Sequence, residues 1–249
     1  MKKKGILFPA EHGSWGLIAE PLLLGMLVAP SPSGSGVAVF TFATFLLRTP
    51  ALRLLRARRA PSPDPHGPVV KRFALICALA GLTGFLLALF TARGPWLVPL
   101  LAALPLALWT IREQDRGKTR TLWPELIAAI AIGAPASAIA LAAGQPLLFS
   151  LALWFWLGLK SLTSILYVRT QIKRFHHRPD SREGVVLLHA AIPSLLLILN
   201  APPHVFILFL LLSVRATVFL FRPVTSPKII GWTEVAFSLL FVLGLAFGG

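Results

Sequence analysis

From Phe73 to Ala92 the chain reads FALICALAGLTGFLLALFTA, an uncharged run held between Lys71-Arg72 and Arg93. A helix rises 1.5 Å per residue. A run of this length therefore matches the hydrocarbon core of a bilayer, which takes roughly 20 apolar residues to cross. No polar stripe interrupts it, so as a helix it has no face suited to water. Working outward, comparable runs fall at about 15–30, 36–56, 95–111, 122–143, 146–168, 184–200, 204–222 and 229–248. The expected fold is all-α: a polytopic transmembrane bundle of about nine helices, forming a single integral membrane domain over residues 1–249. Composition agrees. Of 249 residues, 56% are hydrophobic and 13% are charged, about half the charged fraction of a soluble domain. The runs at 15–30 and 184–200 are shorter than ideal.

A formal net charge of +15 suggests nucleic acid in a soluble protein, but its distribution has a membrane explanation. With nine crossings and the N-terminus inside, the inner segments hold Lys2, Lys3, Lys4, then Arg53, Arg56, Arg58, Arg59, Lys71 and Arg72. They continue with Arg112, Arg116, Lys118, Arg120, then Arg169, Lys173, Arg174, Arg178, Arg182, and finally Arg222 and Lys228. The outer connectors hold only Arg93. This is the positive-inside pattern, and one miscounted helix would exchange the sides of every later loop. The sequence thus predicts an N-terminus inside, a C-terminus outside and no nucleic-acid partner. Met1-Lys2-Lys3-Lys4 imitates the start of a signal peptide, but Glu11-His12-Gly13-Ser14 interrupts the apolar region and no cleavage is expected.

Ionisable groups within the spans are the informative residues, because each costs about 2.5–3.5 kcal/mol to insert and therefore seeks a partner or a wet cavity. Glu20, Glu125 and Glu234 stand against Arg48, Lys160 and Arg215. Counting helical rise, all six fall in the central-to-inner part of the bilayer. Glu11, His12 and Trp15 at the membrane start of the first helix join that stratum, as does His189. Ser164 and Tyr167 share the face of Lys160 at i+4 and i+7. Three readings stay open: interhelical pairs that only fix packing, a polar cavity that opens inward and binds an anionic or amphipathic ligand, and a proton relay.

Other residues have plainer readings. Cys77 is expected to be a small buried hydrophobe. The adjacent pair His176-His177 is read as solvated loop, since neighbouring helical positions diverge. Trp15, Trp96, Trp123 and Trp232 are read as interfacial anchors. No metal site and no cofactor is expected.

The segment Phe8-Pro9-Ala10-Glu11-His12-Gly13-Ser14-Trp15-Gly16 resembles the opening signature of the YwiC-like family of bacterial membrane proteins, and so does Tyr167-Val168-Arg169. That resemblance implies a bacterial cytoplasmic (inner) membrane but no particular activity. More distantly, Trp123-Pro124-Glu125-Leu126-Ile127 through Gly144 looks like the fifth helix of the UbiA prenyltransferase superfamily. Leu166-Tyr167-Val168-Arg169-Thr170-Gln171 sits where that superfamily's second Asp-rich motif would end helix six. The resemblance implies nine helices, an inside N-terminus and a central cavity opening near the cytoplasm. Those enzymes hold Mg²⁺ on carboxylates after helices two and six, as an oxygen-seeking cation requires. Here the corresponding stretches, Arg48 to Arg53 and Arg169 to Arg174, contain none.

The resulting expectation is a UbiA-like bundle without Mg²⁺ sites. It binds an anionic amphiphile such as an isoprenoid or lipid phosphate, or a quinone-like molecule, through Glu11, His12, Trp15, Glu20, Arg48, Lys160, Tyr167, Arg169 and Arg215. Arg48, Lys160 and Arg215 would neutralise the head group, contacting it without a metal. Rival expectations are a metal-independent prenyltransferase-like enzyme, a transporter, and a structural subunit of a membrane complex.

Overall fold

The structure is a computed structural model that describes residues 7–8, 12–57, 65–117, 121–224 and 226–248. Among these residues it holds nine helices: α1 (His12–Val28), α2 (Pro32–Ala57), α3 (Gly67–Thr91), α4 (Leu97–Asp115), α5 (Leu122–Ala142), α6 (Leu147–Phe175), α7 (Arg182–Ile198), α8 (Pro203–Phe221) and α9 (Pro227–Phe247). Six of them, α2, α3, α5, α6, α8 and α9, are long and apolar enough to cross a bilayer. The protein is an all-α, multi-span membrane protein. The short first and seventh runs become helices of 17 residues each.

Several helices outrun their apolar runs, α6 and α3 by the most. α6 continues to Phe175, carrying Arg169, Lys173 and Arg174 as helix, and α3 begins at Gly67, ahead of Lys71 and Arg72. Apolarity marks where lipid ends, whereas backbone hydrogen bonding lets a helix continue into water. The helix ends follow local chemistry. Ser31 Oγ accepts from Gly34 N at 2.9 Å and caps α2. Three C-termini close with a left-handed residue and paired Schellman bonds. At Gly144 (φ 90°), its amide reaches Leu141 O and the Gln145 amide reaches Ala140 O. Asn200 (φ 50°) and His177 (φ 54°) do the same after α7 and α6.

The chain divides into two compact units: Met1–Ala102 with Ala134–Ala152, and Ala103–Gly133 with Leu153–Gly249. In the first, α2 and α3 pack backbone to backbone. A Cβ on Gly36 would stand 2.7 Å from Gly84 O and from Ala88 N, and one on Gly84 would stand 2.6 Å from Phe40 N. Small residues thus form the seam, as in membrane helix pairs generally. The inward side of α3 is Val70, Cys77, Gly81, Gly84 and Ala88. Its exposed side is large and apolar, including Leu75, Ile76, Leu79, Leu82, Leu86 and Phe90. Water would reject that arrangement and lipid accepts it. Nearby, Ala142 O receives both the Arg93 amide and the Ser33 hydroxyl, each at 2.9 Å.

Trp96 departs from its expected role. It is 4% exposed and packs against Phe40 and Phe85 in the core, whereas Trp123 and Trp232 are 69% and 67% exposed. Nearness to a helix end does not distinguish an anchor from a residue folded under a turn; here the bond between Arg93 N and Ala142 O draws the α3–α4 turn over the unit.

In the second unit, α7 and α8 lie side by side. The buried residues of α7 are Val185, His189, Ile192, Pro193 and Leu196, mostly in alternating steps of four and three. Those of α8 include Val205, Leu208, Leu212, Ser213, Arg215, Ala216 and Leu220. Tyr167 on α6 packs with Val185, Ala216 and Leu220.

Candidate functional site

The face of α6 that carries Lys160 repeats at positions 160, 164, 167 and 171, and all four of these residues, Lys160, Ser164, Tyr167 and Gln171, are buried. The helix therefore drives a row of polar groups into an apolar unit, and each group needs a partner. α9 supplies one to Lys160 and, one turn away, another to Arg215 of α8. Lys160 Nζ donates to Ser238 Oγ. Glu234, four residues earlier, accepts from Arg215 Nη1 of α8.

Arg215 is the centre of the arrangement. Its side chain is 2% exposed, with the guanidinium carbon 4.1 Å from the centre of the Tyr167 ring and 4.9 Å from that of Phe237. Cation–π attraction strengthens as water is removed, so the two rings hold the planar group in a fixed orientation. Only Nη1 is satisfied. Nε and Nη2 are buried and carry no hydrogen bond. These two nitrogens form the side-on edge of the guanidinium, the fork that matches two oxygens of a carboxylate or phosphate.

Two more buried polar atoms in this unit lack a hydrogen bond, Ser164 Oγ and His189 Nε2. The backbone around His189 is tied down: its Nδ1 lies 2.8 Å from Val185 O, and its own carbonyl accepts from Ser213 Oγ of α8.

Toward the C-terminal end of α6, Arg169 Nη1 pairs with Glu125 Oε2 at 2.7 Å, each side chain about a third exposed. The Gln171 amide donates to Tyr167 Oη at 3.2 Å and to Phe219 O at 2.9 Å, and Arg174 Nη2 donates to Arg222 O at 3.0 Å. These side chains satisfy carbonyls at the end of α8 that have no helical partner and hold Tyr167 in place.

The residues singled out in the sequence thus fall in two places. Lys160, Tyr167, Arg169 and Arg215 lie in the second unit, where Tyr167 and Arg215 touch and Lys160 and Arg215 reach α9 one turn apart. Trp15, Glu20 and Arg48 lie in the first unit; Trp15 meets Phe45 edge-on at 5.7 Å, and Glu20 and Arg48 are part-buried. Glu11 lies outside the described residues. His12 opens α1, and its side chain is likewise not described. Sequence reasoning missed Phe237, Gln171 and Ser238 as members. Ser238 was detectable, being one turn beyond Glu234 on a helix already marked by its charge. Phe237 was not, since one phenylalanine among many carries no signal.

Among the clefts that open on the described surface, two are not lined by these buried charges. One, of about 450 Å³, lies among Val28–Ser33, Thr91, Arg93, Ala143 and Gln145; the other, of about 480 Å³, is formed by His177–Glu183. Among the described residues no group of three or more His, Cys, Asp or Glu is placed to hold a metal ion.

The model of the YwiC-like protein family matches residues 8–140, just over half of the chain. The chain belongs to the YwiC-like family. The match takes in α1 to α4 and nearly all of α5, including the Glu11-His12-Gly13-Ser14-Trp15 segment. It does not reach Tyr167-Val168-Arg169 or the Arg215 cluster, which lie in the remainder of this YwiC-like chain. Neither the curated proteins nor the solved structures give a match.

Proposed function

We propose that this YwiC-like protein binds the anionic head group of a membrane amphiphile (an isoprenoid or lipid phosphate, or a quinone-like molecule) in a cavity reached from the cytoplasm, without Mg²⁺-diphosphate chemistry. The observation that carries the reading is the Arg215 guanidinium: buried, fixed between two rings, neutralised on one nitrogen and unsatisfied along a whole edge. Leaving such donors unpaired in a low-dielectric interior costs more than leaving them in water, so an arrangement of this kind favours a ligand with two acceptor oxygens. The absence of carboxylates from Arg48–Arg53 and Arg169–Arg174 supports direct contact with the head group by cations. Lys160 and Arg169, in the same unit as Arg215, belong to the same proposal as groups flanking the path from the inner leaflet.

Native mass spectrometry on protein extracted in a mild neutral detergent tests it. A co-purifying anionic amphiphile is expected on the parent chain and lost from Arg215→Gln at unchanged monodispersity. Equal retention by the variant would remove the reading.

The proposed orientation has its own test. A phosphatase reporter fused after Gly248 is expected to be active outside the cell, and a fluorescent reporter placed at Gly117 to be bright inside. The reverse pair of results would overturn the inside N-terminus.

A further inference from the structure

Ser164 on α6, His189 on α7 and Arg215 on α8 each lie within about a helical turn of one packed layer of the second unit. Tyr167, Val185 and Ala216 pack together from α6, α7 and α8. Ser164 lies one turn before Tyr167, His189 one turn after Val185, and Arg215 directly before Ala216. Successive spanning helices run in opposite directions, so stepping back along α6 and forward along α7 moves the same way, by roughly 5 Å. The bond from Ser213 Oγ to His189 O fixes α7 against α8 at this height, two residues before Arg215. Arg215, His189 and Ser164 are 3%, 2% and 8% exposed, and each has polar atoms without a hydrogen bond.

The chemistry of those atoms differs in a way that selects a ligand. Arg215 Nε and Nη2 only donate. Val185 O only accepts, so His189 Nδ1 beside it carries a proton and Nε2 of the neutral ring presents a lone pair. Ser164 Oγ can give or take. A group that satisfies all of them has two acceptor oxygens side by side and an O–H next to them. A carboxylate supplies the first two only. A phosphate diester has two terminal oxygens and no O–H. A phosphate monoester has three terminal oxygens, and with its second pKa near 6 it holds or shares one proton around neutrality.

We infer that the Arg215–His189–Ser164 cluster is a selective site for the terminal phosphate monoester of an amphiphile. Two phosphate oxygens lie on the Arg215 fork, and the third shares a proton with His189 Nε2 and meets Ser164 Oγ. In the monoanion that proton is on phosphate; in the dianion it is on Nε2. No bond to phosphorus forms or breaks. The inference rests on the proposed role of Arg215 and adds to it the class of head group.

Binding of three probes to the detergent-purified full chain tests it: dodecyl phosphate, its methyl diester and inorganic phosphate. Dodecyl phosphate is expected to bind at least about tenfold more tightly than the diester, as loss of a hydrogen bond to a charged group implies. His189→Gln should bring the two to within about twofold while the diester still binds, and Ser164→Ala, the milder change, should narrow the ratio in the same direction. Arg215→Gln should abolish both. Equal binding of monoester and diester by the parent chain would overturn the monoester inference and leave the anionic-amphiphile reading standing. Binding unaffected by Arg215→Gln would overturn both. Inorganic phosphate binding as tightly as dodecyl phosphate would keep the phosphate cradle and remove the amphiphile.

Discussion

Gly84→Leu is expected to abolish folding of the first unit, seen as loss of the monodisperse peak in detergent and of membrane-inserted protein in cells. The reason is steric. At position 84 even a Cβ would lie 2.6 Å from Phe40 N, 2.7 Å from Gly36 O and 3.0 Å from Val39 Cβ. Two of those are backbone atoms of a helix already at its closest approach, so neither helix can yield by turning a rotamer. The whole α2–α3 contact must open, and van der Waals packing is the main force joining helices in lipid. Overpacking usually costs about 1–3 kcal/mol, and this site belongs at or beyond the upper end because the obstruction is main chain. Gly36→Val meets Ala88 N and Gly84 O from the other side and is expected to behave alike. Gly81→Ala is the control. Its Cβ would meet only Ala43 Cβ, at 3.5 Å, so it should fold as the parent does. Failure of Gly81→Ala, or normal folding of Gly84→Leu, would remove the account of the α2–α3 seam.

The fold was readable because a bilayer imposes a length. Every apolar run long enough to cross became helix, and the short runs at 15–30 and 184–200 became the short helices α1 and α7. What could not be read was the helix beyond the lipid. Arg169 stands one position past the apolar run 146–168, so the sequence placed it in a loop. The structure places it on α6 facing Glu125, because a helix needs only its own backbone to continue. Trp96 failed for the complementary reason. The interfacial preference of tryptophan is an average over exposed sites, and a turn that folds back converts such a site into core.

The candidate site was half legible. The costly residues were visible as charges in apolar runs, and the i, i+4, i+7 relation of Lys160, Ser164 and Tyr167 placed them on one face. Pairing was foreseen for Arg215, which meets Glu234, whereas Glu125 meets Arg169, a residue the sequence placed beyond the span. The contribution of Phe237 was hidden, since which aromatic ring covers a guanidinium depends on how α8 and α9 pack. So was the decisive detail that one edge of Arg215 is paired and the other is not. Residue types do not reveal how many of an arginine's donors the fold will satisfy.

That half-paired state separates packing from binding in one cycle of variants. Glu234→Gln is expected to be severely destabilising, by about 3–5 kcal/mol, as when one member of a buried ion pair is removed. The magnitude follows from chemistry at Arg215: a guanidinium cannot shed its proton at any ordinary pH, so with Glu234 neutralised its charge stays uncompensated in the unit. Arg215→Met should cost less, because a stranded carboxyl can take up a proton and become neutral. The double variant Arg215→Met with Glu234→Met should recover most of the lost stability, since apolar replacement of a buried pair is often neutral or better. Reversible unfolding in mixed detergent measures all three. A pair that serves packing alone predicts that the recovered double variant keeps any bound amphiphile. The binding role predicts a protein that folds as well as the parent and retains none, because the fork has gone while the fold has not.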